Sequence, residues 1–143
     1  ALMITVDPKN KEVLFPFING RDLNTHPEQK PSRWVINFFD WPEGRAKTYE
    51  LPYAYILKNV KSERLANKNK GTRRYPWWQH LRQRSELYHS IGRGNAFEKH
   101  PKNWGGHQKT SDTILISPRV TKRLSFNFVL NNQILIRFDN LHL

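Results

Sequence analysis

The sequence predicts an α+β domain, a mostly antiparallel sheet with about three helices packed on one side or end. Strand-like runs of β-branched and aromatic residues lie toward both ends of the chain, and helix-like apolar spacing lies between them. With 143 residues the chain is long enough to bury a single hydrophobic core. It contains no cysteine, which excludes a disulfide framework and thiolate metal sites and suits a cytoplasmic protein. No apolar run approaches the roughly 20 residues of a membrane span, and no signal-peptide pattern opens the chain, so no membrane partner is expected. Beginning at Ala1 rather than methionine, the chain reads as a piece of something longer.

Taken in order, "LMITV" and "VLFPF" read as extended, with Pro16 suggesting an edge or a strand end. "INGRDLN" reads as a turn, because Asn19-Gly20 tolerates the positive backbone angles of tight turns. "RWVINFF" reads as a mostly buried strand in which Val35, Ile36, Phe38 and Phe39 are core. Truncating one of these to alanine should cost several kcal/mol, roughly 2–5. Asp40, with Glu43 three residues on, is a plausible N-cap for a short helix reaching about Tyr49. A longer helix opened by Pro52 carries Tyr53, Ile56, Leu57 and Val60 at the spacing of one buried face. Residues 66–74, "ANKNKGTRR", have almost no apolar content and read as a loop. "RSELYHSIGRG" is a third helix, closed by Gly92. Residues 95–110 read as a loop or insertion. "TILISPRV", "LSFNFVL" and "QILIRF" are strand-like, with Asn131-Asn132 as a hairpin turn between the last two.

The formal net charge is +12, unevenly distributed. Between Lys58 and Lys102 lie twelve Lys and Arg against three Glu. Such a surplus is the electrostatic footprint of a polyanion partner, because each cation set near a phosphate releases a condensed counterion. A solvated basic face without a partner is the plain alternative. The densest stretch, "KNKGTRR", is too polar for a membrane-surface helix.

Six histidines raise the question of a metal, but none are paired at i, i+4 on a helix, and no carboxylates cluster beside them. His100 and His107 fall in the predicted loop. Asp22, Glu28 and Lys30 have the D…E-x-K spacing of metal-dependent nucleases, in which two carboxylates hold Mg²⁺ and a lysine polarises water. That chemistry needs E-x-K on a rigid strand, and here Pro27 and Pro31 bracket it. Phosphate-loop, dinucleotide and nucleophile-elbow motifs are absent.

"RRYPWWQHLRQR" sets Tyr75, Trp77 and Trp78 among Arg73, Arg74, Arg82 and Arg84. Either the tryptophans anchor this segment while the arginines face out, or the aromatics themselves meet a ligand. For duplex DNA, Arg33, Lys68, Lys70, Arg73 and Arg74 are the expected phosphate contacts. Gln79, Arg82 and Arg84 are candidates for base edges, since Arg suits guanine and Gln suits adenine. A second candidate reader is "SPRVTKR", with Arg119, Lys122 and Arg123 between two strands. An RNA-binding basic module would instead stack its aromatics on unpaired bases.

"LFPFINGRDLN", "PSRWVINFFDW", "WW" at Trp77-Trp78, "SELYHSI" and "LSFNFVLNNQI" resemble, in that order, the target recognition domain of MmeI-like restriction-modification enzymes. The resemblance covers nearly the whole chain. It implies that residues 1–143 are one DNA-specificity domain excised from an adenine-N6 DNA methyltransferase, in some cases fused to a nuclease, that serves restriction or phage defence. It further implies duplex DNA and the methyltransferase domain of the same parent chain as partners. S-adenosylmethionine would belong to that parent. The N-P-P-Y type motif and the Gly-containing cofactor loop of such methyltransferases do not occur here, so no catalytic centre and no cofactor are expected in this chain. One departure is "SPRVTKR", which carries a proline where such domains show an "SRVSK" type stretch.

Overall fold

The computed structural model describes residues 2–28, 30–106, 110–118, 122 and 126–135. The fold is α+β, with two small sheets and short helices. It begins with α1 (Leu2–Val6) where an extended run was expected. The residues that follow account for the difference. Asp7 caps a 3₁₀ turn that has Pro8 at its start, and the Asn10 amide, itself buried, donates to the Met3 carbonyl at 2.9 Å. Together they fix the end of α1, and local capping overrides the β-propensity of Ile4, Thr5 and Val6.

The first sheet has the order β2-β1-β5, from β1 (Leu14–Ile18), β2 (Arg33–Ile36) and β5 (Ile134–Leu135). Its β1–β2 pairing is antiparallel and its β1–β5 pairing parallel. Pro16 is therefore on the central strand, not on an edge. The ladder explains why it is tolerated. Asn37 N–H donates to the Val13 carbonyl, so by alternation the Pro16 nitrogen faces away from β2, and pairing to β5 begins only at Phe17. The second sheet pairs β3 (Thr113–Ile116) with β4 (Asn127–Leu130), antiparallel.

Asn19 and Gly20 open α2 (Gly20–Thr25) instead of a tight turn. Asn19 Oδ1 accepts from the N–H groups of Arg21 and Asp22, and the Asp22 carboxylate accepts from Asn19 N–H, a reciprocal capping box. Asp40 is likewise not a helix cap. Its two carboxylate oxygens accept from Glu98 and Lys99 N–H, both at 2.8 Å, while α3 (Glu43–Lys47) starts behind Pro42. Next come α4 (Glu50–Asn59), α5 (Lys61–Ala66) and α6 (Lys70–Arg73), so part of the expected 66–74 loop is helical. On α4, Tyr53 and Ile56 are buried as the spacing predicts, Val60 at its end is half-buried, and Leu57 is exposed. Finally α7 (Ser85–Ser90) ends as expected. Gly92 takes φ 79°, and Arg93 N–H reaches the Tyr88 carbonyl at 2.7 Å.

Phe38, Phe39, Trp41, Tyr49, Tyr53, Tyr88 and Phe97 form an aromatic core with Val13, Ala46 and Ile56. Ile18, Leu23, Ile116 and Val129 form a second cluster that ties the two sheets together. In the first, Tyr49 donates its hydroxyl to Glu12 and Tyr53 to Glu43, each at 2.5 Å. Burial, reinforced by those carboxylates, pushes both phenols up to about 12. Asn131 and Asn132 do not make the expected hairpin. Asn131 Nδ2 donates to the Ile91 and Ser111 carbonyls, and the chain leaves the second sheet to join β1 in the first.

Candidate nucleic-acid interface

The segment following α6 is irregular, and its side chains seal the main-chain oxygens of residues 36–41. Trp78 Nε1 and Gln79 Nε2 both donate to the Trp41 carbonyl at 3.0 Å. Gln83 Nε2 donates to the Phe39 carbonyl and to Gln79 Oε1, and His80 Nε2 donates to the Ile36 carbonyl at 2.8 Å. Trp77 packs its ring against Tyr53, under the Lys61 ammonium. From α5, the Arg64 guanidinium donates to the Pro76 and Gln79 carbonyls, with burial lowering its pKa. Adjacent tryptophans can both point inward here because the backbone between Pro76 and Gln83 is neither helix nor strand. They act as anchors.

The arginines and lysines around this anchor remain free of acids. Among the described residues the ion pairs are Lys30–Glu28, Arg45–Glu98 and Lys47–Glu43. None involves any of the twelve cations between Lys58 and Lys102. Lys68, Lys70, Arg73 and Arg74 are all exposed on or beside α6, which packs on α5. There Asn69 caps the first turn, Thr72 is buried, and Arg73 Nε is held by the Asn67 carbonyl at 3.1 Å. The structure thus brings these four predicted phosphate contacts onto one short element. Arg33 is also exposed, but it stands on the edge strand β2.

The base-reading candidates divide. Gln79 is committed inward through both ends of its amide. Arg82 is exposed, and Arg84 is half-buried at the start of α7 with φ 53°. In the second region Ser117 and Pro118 are buried, and a Cβ added at Gly20 would meet Pro118 at 3.9 Å. Lys122 is exposed, whereas Arg119 and Arg123 lie outside the described residues. His107 and the run after Leu135 lie outside them as well.

The nuclease constellation does not assemble. Asp22 is buried in its capping box, Glu28 pairs with Lys30 on the surface, and no strand carries them. No three His, Asp or Glu side chains gather as a metal site among the described residues. Nor is any described helix long and apolar enough to cross a membrane. One charged residue that sequence reasoning passed over is Arg93. Its guanidinium donates to the Gln133 carbonyl at 2.7 Å and lies over the rings of Phe15 and Tyr88. Burial lowers its pKa, and it braces the junction between the two sheets. In the sequence it looked like part of the Gly92 helix stop, and nothing local announced its burial.

A scan against protein-family models and searches of curated proteins and of solved structures return no match to this chain.

Proposed function

We propose that this chain is a sequence-specific duplex-DNA recognition domain, the reading part of a larger cytoplasmic adenine-N6 DNA methyltransferase of restriction-modification or phage defence. The observation that carries the proposal is the block of twelve cations between Lys58 and Lys102, with no carboxylate partner among the described residues. Like charges gathered without acids raise the energy of the free protein, and a polyanion removes that cost. Duplex DNA fits better than single-stranded RNA. Unpaired bases need open aromatic faces, and Tyr75, Trp77 and Trp78 are only partly exposed, the two tryptophans serving as anchors. The ordered motif resemblance supplies the methyltransferase context. Its catalytic domain would bring S-adenosylmethionine and share the duplex, which lowers the affinity this domain must provide alone.

In this proposal Lys68, Lys70, Arg73, Arg74 and Arg33 grip phosphates, and Arg82, Arg84 and Lys122 are the described candidates for reading bases. The test is retention of duplexes from a random pool at two salt concentrations. A short enriched motif that persists at the higher salt is expected. Replacing Lys68, Lys70 and Arg74 by alanine should flatten the salt dependence by about 0.9 in slope for each phosphate no longer neutralised, equally for all sequences. Arg33→Ala should do the same for one phosphate. Enrichment of nothing, with an unchanged slope in every variant, would end the proposal.

A further inference from the structure

Two residues other than glycine hold left-handed backbones among the described residues, Phe39 at φ 49° and Arg84 at φ 53°, ψ 40°. A Cβ makes that conformation costly. At Phe39 the compensation is visible. Its ring is buried against Phe15, Trp41 and Phe97, and its N–H donates to Asn37 Oδ1.

Arg84 has no such compensation. Its guanidinium has no hydrogen-bond, ion-pair or ring partner among the described residues, although the residue is half-buried. Yet the chain on both sides is locked. Gln83 is tied to the Phe39 carbonyl and to Gln79, and the Ser85 carbonyl accepts from His89 Nδ1 at 2.6 Å. Arg84's own carbonyl accepts the N–H of Tyr88. Glycine or asparagine would occupy this position with less strain. Strain that the surroundings enforce and no interaction offsets marks positions kept for function.

Resting on the duplex-recognition proposal, we infer that Arg84 is the base-reading residue of the 79–84 region. It presents its guanidinium fork, from a fixed backbone, to O6 and N7 of a guanine in the major groove. The alternatives in the region are weaker. Gln79 is committed to Trp41 and Gln83, and Arg82 is exposed and does not share the left-handed backbone.

The test compares the chain with its Arg84→Lys and Arg84→Gly variants, by motif enrichment from a random duplex pool and by thermal midpoint. The unaltered chain should enrich a motif containing guanine. Arg84→Lys should keep its affinity for non-motif duplex while discrimination at one guanine falls about tenfold or more and the other positions hold. Arg84→Gly should lose the same discrimination with a thermal midpoint unchanged or raised, because glycine accepts the left-handed angles. If either variant keeps full selectivity, the inference falls while duplex recognition stands. A lower midpoint in Arg84→Gly would make the side chain a structural brace and also overturn the inference. No motif from the unaltered chain would overturn both.

Discussion

His80 shows how one half-buried side chain couples this fold to pH. Its Nε2 faces the Ile36 carbonyl, which can only accept, so that nitrogen carries the hydrogen. Burial holds its pKa below the ordinary value. The bond to Ile36 opposes that shift, and the charge of Arg64 assists it. The sign of the linkage follows. As pH falls through about 6.5 the unfolded chain takes up a proton that the folded one resists, so the stability present above that pH is progressively lost below it. The thermal midpoint should therefore drop between pH 7 and pH 5. His80→Gln, which keeps a donor for Ile36 but cannot titrate, should flatten that part of the profile. An identical profile in the variant would assign the loss to another group. Nothing in "WWQHLRQR" marks His80 as turned inward to the Ile36 carbonyl. Its fate depends on the path of the backbone from Pro76 to Gln83, which no periodicity describes.

At the scale of elements, that same segment is a clasp, and its donors are redundant only in part. Gln79→Ala removes a donor to Trp41 and an acceptor for Gln83, and should cost about 1–3 kcal/mol, roughly 0.5–1.5 for each of the two bonds lost, because Trp41 still accepts from Trp78 and Gln83 still donates to Phe39. For a domain of this size, the thermal midpoint would fall by roughly 2–8 °C. The enriched DNA motif should not change, because Gln79 faces inward. A stable Gln79→Ala protein with an altered motif would reverse that assignment and return Gln79 to the base-reading set. Legibility in the sequence follows the same division. The segments with strong internal periodicity, Leu14–Ile18, Glu50–Asn59 and Ser85–Ser90, are where the pattern put them and of the predicted type. Residues 2–6, 19–25 and 131–132 went otherwise because side chains of Asn10, Asn19 and Asn131 chose between a turn, a helix and a crossing strand. An asparagine announces that some backbone group will be bonded, but not which one. For the site, charge and arginine content were legible as composition, whereas the strain at Arg84 and the inward turn of Gln79 exist only in three dimensions.

The molecule as a whole carries a formal net charge of +12, and its described cation block is unrelieved by internal acids. Compaction brings those charges together, so the folded state suffers more self-repulsion than the unfolded chain. Raising salt from about 10 mM to about 150 mM shortens the screening length from roughly 30 Å to roughly 8 Å. The free protein should therefore become more stable as salt rises. Duplex DNA acts in the opposite sense. It stabilises the fold by mass action, but the counterions it releases make binding weaker as salt rises, so its contribution shrinks over the same range. Thermal midpoints measured with and without a saturating duplex should start far apart at low salt, the free curve climbing and the bound curve closing on it. Two parallel curves would show that the cation block holds no phosphates. A flat free curve would show that its charges lie too far apart in the folded protein to repel, and the electrostatic case for a polyanion partner would lose its basis.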